Sequence, residues 1–126
     1  MKATDFYTRT PANTPQKYVL PDPITNAPTE EFLMVLGFDS DVFRKALVEN
    51  SRYNVEILTL PEGEQEAARD KKDVILLASL VTGWSFKETF SQEAVINLLG
   101  EAPYLERGLD KFGANRANFI KRQQVK

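Results

Sequence analysis

The sequence contains no cysteine and no histidine. Without cysteine no disulfide framework can form, and no thiolate is present to act as nucleophile or metal ligand. Without histidine the most frequent general base and the usual nitrogen ligand of zinc are missing as well. Catalysis would have to rest on a carboxylate pair, a Ser–Lys dyad or an oxygen-bound metal, and no spacing of these residues nominates one. The expectation is a protein that is not an enzyme, with no catalytic residues, no cofactor and no metal. There is no Gly-rich phosphate loop, EF-hand pattern, internal repeat or heptad run. No apolar run reaches the roughly 20 residues of a membrane helix, and the opening MKATDFYTRT lacks the apolar stretch of a secretory signal. A cytoplasmic location follows as the default. Net charge is −2, so the broad basic footprint of a phosphate-backbone binder is absent too.

What is present fits one soluble domain. The chain has 126 residues, 42% of them hydrophobic and 27% charged, enough to bury a single core and too apolar for a disordered chain. Its most hydrophobic stretch runs from Asp73 to Gly100 and holds the single tryptophan, Trp84. Val74, Leu77, Ala78 and Val81 recur at helical spacing, so a long helix is expected over Glu64–Val81, stopped by Gly83. Its first half, EQEAARDKKD, mixes charges of both signs as a solvated helix face does. Trp84 and Phe86 then form a connector, and Ser91 caps a second helix whose face is Val95, Leu98 and Leu99. Trp84 is expected to pack in the core between those two helices. Gly100 ends that element and Pro103 starts the last helix, with Leu105, Leu109, Phe112 and Phe119 on one face; Gly108 and Gly113 leave room for close helix approach.

Earlier in the chain, Tyr18–Leu20 and Phe32–Leu36 flank a turn region containing Pro21, Asp22, Pro23, Asn26 and Pro28, which predicts a small β-hairpin. Ser40 and Asp41 open a helix with Val42, Phe43, Ala46 and Leu47 on its buried side, fraying at Asn50–Ser51. Tyr53–Leu60 suits either a strand or a continuing helix before the Pro61–Gly63 break. The fold class is therefore mainly α: a compact helical domain with a small N-terminal β-hairpin. Residues 1–16 form a flexible arm able to dock Phe6 and Tyr7, residues 17–120 the single domain, and residues 121–126 (KRQQVK) a flexible basic tail.

Two segments resemble the short tail assembly chaperones of long-tailed bacteriophages of the lambda and HK97 type. In LPDPITNAPTEEFLMVLGFDSDVFRKALVE the matching positions are Leu20, Pro23, Gly37, Asp39, Ser40 and Phe43. In LLASLVTGWSFKETFSQEAVINLLGEAPYLERGLDKFGANRANF they are Gly83, Trp84, Phe86, Phe90, Pro103, Arg116 and Phe119. The resemblance implies a chaperone domain that binds the phage tape measure protein, keeps its apolar helices soluble and promotes assembly of the tail tube. It further implies action in the host cytoplasm, absence from the mature virion, self-association, and a longer product of ribosomal frameshifting that recruits the major tail tube protein. Neither nucleic acid nor membrane is an implied partner. Contacts with the tape measure protein are expected mainly from the apolar helices between Val74 and Phe119, with the N-terminal arm as a clamp. The alternatives are a head–tail or tail-completion structural protein, and a small nucleic-acid-binding regulator using the basic C-terminal end.

Overall fold

The computed structural model describes residues 1–120; the expected basic tail, 121–126, lies outside the described residues. Its α-helices are α1 (Arg9–Ala12), α2 (Asp41–Leu58), α3 (Glu62–Ala78), α4 (Gln92–Glu101) and α5 (Pro103–Ala114). They accompany an antiparallel sheet of β1 (Gln16–Pro21), β2 (Pro28–Val35) and β3 (Val81–Trp84) in the order β1-β2-β3. Short 3-10 turns cover Ala3–Phe6 and Arg116–Asn118. The mostly helical character holds, but the expected hairpin is two strands of a three-stranded sheet.

The third strand comes from a stretch the sequence reading divides between helix and connector. Helix α3 ends at Ala78, and Gly83 sits inside β3 opposite Met34, with Trp84 opposite Leu33. No glycine among the described residues has a positive φ, so Gly83 is not a left-handed helix stop. Backbone pairing with β2 takes these residues out of the helix: Leu36 N–H donates to Leu80 C=O at 2.9 Å and Ser85 N–H to Phe32 C=O at 3.0 Å. Trp84 is half-buried beside Phe86 and Phe90, each ring edge-on to it at 5.3 and 5.6 Å between centroids. Its Nε1–H donates to Glu88 C=O at 2.9 Å. Trp84 thus belongs to the margin of the core, anchoring the loop between β3 and α4 rather than a helix pair.

The hairpin turn is built by Asp22, whose Oδ1 accepts from Ile24 and Thr25 N–H at 2.8 and 3.0 Å, while Asn26 takes the left-handed conformation at φ 61°. One face of the sheet, with Leu33 and Val35, is fully buried under the helices. Helix α3 lies centrally, touching α2, α4 and α5, and its gradient has the physical sense the charge pattern implies: Val74, Leu77 and Ala78 are buried while its first half is exposed. Both serine caps form, Ser40 Oγ accepting from Phe43 N–H at 3.3 Å and Ser91 Oγ from Ala94 N–H at 3.0 Å. Pro103 occupies the first turn of α5. Gly100, however, lies inside α4, which runs to Glu101.

Two helices depart from their expected bounds. Tyr53–Leu58 continues α2 without a break at Asn50–Ser51, making α2, at 18 residues, longer than α3 at 17. At the other end, α5 stops at Ala114 and Asn115 Oδ1 caps the following turn by accepting from Ala117 N–H. Phe119 therefore reaches Phe112 by a reversal of the chain (ring centroids 5.8 Å apart) and not along one helical face. The glycines of α5 do permit close approach. A Cβ at Gly113 would stand 2.8 Å from Phe38 Cε1 and 3.0 Å from Leu80 Cδ1, and one at Gly108 would stand 2.0 Å from the Tyr18 hydroxyl.

The short link Leu36–Asp41 ties these parts together. Gly37 N–H donates to Ala12 C=O and Phe38 N–H to Gly113 C=O, both at 3.0 Å. Asp39 receives a two-pronged ion pair from Arg116, 77 residues away in sequence, at 2.6 and 3.2 Å. Asp41 receives another from Arg9 at 2.5 and 3.1 Å, and Asn13 bonds both its carboxylate and its N–H. The segment 1–16 is thus attached to the body through Ala12, Arg9 and Asn13, whereas Phe6 and Tyr7, the residues expected to dock, are exposed.

These ion pairs set the sign of the acid response. Arg116 above all holds the Asp39 carboxyl below its ordinary 3.8, and Arg9 does the same for Asp41; the backbone N–H groups of Thr25 and Ile24 lower Asp22. A carboxylate lowered by folding contributes stability above its unfolded value, and that contribution is lost as pH falls through the folded value. Glu106 acts oppositely, since burial and then Asp73 and Asp70 raise it above 4.5. The exposure of Arg9 and Arg116 keeps each pair weak. Urea unfolding should show stability falling from about pH 4 downward. An Asp39→Asn/Asp41→Asn variant should be less stable at neutral pH and show a flatter acid limb. An unchanged acid limb in that variant would place the proton-sensitive groups elsewhere.

Candidate functional site

Most apolar side chains between Val74 and Phe119, the span expected to contact a partner, are spent on folding. Val74, Leu77, Leu80, Val81, Val95, Leu99, Leu105, Leu109 and Phe119 are buried. Among the described residues no strongly exposed large apolar side chain falls in that span. Among the described residues, exposed apolar side chains gather instead on α2 and the turn that follows it. Of the twelve exposed large hydrophobics among the described residues, seven are Val42, Leu47, Val48, Tyr53, Val55, Leu58 and Leu60.

The local reason is geometric. Helix α2 packs chiefly on α3, and only Phe43 and Ile57 of its 18 residues are buried. From Ser51 to Asp73, Ile57 is the sole buried residue, so the C-terminal half of α2 and the N-terminal half of α3 form a helical hairpin with a one-residue core. Val42 and Leu47, expected on the buried side, are 46% and 45% exposed. Lys72 crosses from α3 to bond the Asn54 side chain amide, and Gln65 Nε2 donates to Leu60 C=O at 3.1 Å, closing the hairpin with polar contacts.

A groove of about 580 Å³ runs along this hairpin between Tyr53, Ile57 and Leu60 on one side and Ala68, Lys72 and Ile75 on the other. Next to it, Ala46, Asn50, Tyr53, Ile75 and Leu76 line a second depression of about 390 Å³. Both are open and mixed in polarity, a form that can receive a side chain or a helix. On the other side of α2, Val48, Val55 and Leu58 stand 61%, 67% and 68% exposed. Sequence reasoning passes over this face because Tyr53–Leu60 cannot be read as helix without the tertiary fold.

Among the described residues no helix is long and apolar enough to cross a membrane, and no group of three or more acidic residues is arranged to hold a metal ion. Of the positions that carry the sequence resemblance, Gly37 lies against Phe119, with a Cβ there reaching the ring at 3.2 Å. Asp39 pairs with Arg116, Ser40 caps the helix that buries Phe43, and Trp84 meets Phe86 and Phe90. Gly37, Asp39, Ser40 and Phe43 with Arg116 and Phe119 fix the start of α2, and Trp84, Phe86 and Phe90 fix the loop between β3 and α4; the exposed face of α2 itself is not among them. Compared with protein-family models, with curated proteins and with solved structures, the chain matches none.

Proposed function

We propose that this chain is a tail assembly chaperone of a long-tailed bacteriophage, which binds the tape measure protein, keeps its apolar helices soluble and promotes tail tube assembly. The observation that carries the reading is the set of exposed apolar side chains on α2 and the turn after it, between Val42 and Leu60. Exposed apolar side chains gathered on one helix face, as Val48, Val55 and Leu58 are, are the ordinary mark of an interaction site, and a hairpin with so thin a core has packing to gain from a partner. A second support is the convergence of the two segments that carry the resemblance, joined through Asp39–Arg116 and Gly37–Phe119.

In this reading the chaperone acts in the host cytoplasm and leaves before the virion is complete. It self-associates weakly, and a longer frameshift product sharing its body brings the major tail tube protein to the same complex. Co-expression tests the proposal. The tape measure protein should be insoluble when made alone, and soluble and co-purifying when made with this chain. Unchanged solubility with no co-purification would end the reading and favour a structural component of the particle.

A further inference from the structure

Between Val48 and Leu58 the outward face of α2 carries Val48, Ser51, Val55 and Leu58, at spacings of three, four and three. That is the a-d-a-d pattern of a coiled-coil seam, here over three helical turns and too short to register as a heptad run in the sequence. Val48, Val55 and Leu58 are all more than half exposed, and Ser51 between them is exposed and small. Carried along α2, the same register puts two cations, Lys45 just before the seam and Arg52 within it, at e positions, Thr59 at the helix end being the next. Both cations are exposed. Glu49 and Glu56 fall at b, further from the seam. The g positions are Leu47 and Asn54, the latter engaged by Lys72, which adds a third cation on the opposite flank.

We infer that this seam docks an acidic amphipathic helix: one with apolar residues at heptad spacing and Asp or Glu beside them. The spacing calls for a helix because only a helix returns side chains at alternating three and four residues. The charge follows from Lys45 and Arg52, since e positions form the interhelical ion pairs that choose the partner. A second copy of this chain is the poorer occupant. Antiparallel pairing sets e against e, bringing Lys45 and Arg52 against their own duplicates, and parallel pairing sets them against Leu47 and Asn54, with no ion pair in either case. The inference deepens the chaperone proposal and rests on it, by giving the client helix a chemical class.

The probe is a synthetic peptide of about four heptads with Leu at a and d and Glu at e and g, compared with its twin carrying Lys at e and g. The full chain should bind the acidic peptide about ten-fold more tightly than the basic one, the difference expected for two exposed charge pairs changed from attraction to repulsion. Lys45→Glu/Arg52→Glu should reverse the preference, and Val48→Gln/Val55→Gln/Leu58→Gln should abolish binding of the acidic peptide with unchanged helical circular dichroism. Failure of the acidic peptide to bind, equal binding of both, or a preference unaffected by the charge swap overturns the inference. Loss of a self-dimer in the Gln variant, without peptide binding, would assign the seam to a second copy and overturn it as well. The two proposals separate cleanly. An acidic peptide that binds while the tape measure protein stays insoluble sinks the chaperone reading alone. A client rescued equally well by the charge-swapped and Gln variants sinks the seam alone.

Discussion

Leu80→Ala is expected to lower the unfolding free energy by about 2–5 kcal/mol, the range for a Leu truncation that leaves a cavity. Leu80 is fully buried where α3 hands over to β3. Its carbonyl accepts from Leu36 N–H, and its side chain packs close to the backbone of Gly113. The backbone bond survives the substitution, so the loss comes from packing: the Leu side chain, with Phe38, fills the space that Gly113 of α5 leaves open. Against a typical total of about 5–15 kcal/mol this is a large share. Urea unfolding followed by circular dichroism measures it, with Leu58→Ala as the comparison, because Leu58 is 68% exposed and its truncation should stay within about 0.5 kcal/mol. A loss at position 80 no larger than that at position 58 would show that the core does not close at the α3–β3 junction.

The second large effect concerns function. Val48→Gln/Val55→Gln/Leu58→Gln should lose the ability to keep a co-expressed tape measure protein soluble while keeping the fold. All three side chains are exposed, and glutamine favours helix at least as well as the valines it replaces, so thermal unfolding should barely change. What is removed is the apolar contact area of three successive turns, at roughly 25 cal/mol per Å² of surface that a client helix would cover. Sedimentation of the co-expressed client reads the outcome: pellet with the variant, supernatant with the unaltered chain. A variant that solubilises the client as well as the parent would move the contact surface off the Val48–Leu58 face of α2. The groove beside Tyr53 and Leu60 would then be the next place to substitute.

Local chemistry and spacing determined a good deal of this protein without any structure. Ser40 and Ser91 cap helices because a hydroxyl one residue before a helix can accept an N–H from its first turn, wherever the helix goes afterwards. Pro103 starts α5 for an equally local reason, and the Pro- and Asn-rich turn joins two strands because Asp22 and Asn26 carry their own turn geometry. The charged-to-apolar gradient of α3 and the spacing of Leu105 and Leu109 likewise declare their buried faces. The absence of cysteine and histidine removed whole classes of chemistry at the outset.

Tertiary structure decided the rest, and in each instance through partners distant in sequence. Val81–Trp84 is a strand only because β2 offers it an open edge, with Leu33 opposite Trp84 and Val35 opposite Val81; alone, the same residues continue an apolar helical period. Tyr53–Leu58 is a helix because α3 folds back beneath it and receives Ile57, overriding the β preference of its branched side chains. Above all, burial could not be assigned from periodicity along α2. Helix α2 carries more apolar residues than α3 can cover, whereas the richer run from Val74 to Phe119 is consumed by the sheet, α4 and α5. A stripe of valine and leucine reads the same whether a neighbour covers it or not, so only the positions of the other elements separate the core from the surface left for a partner.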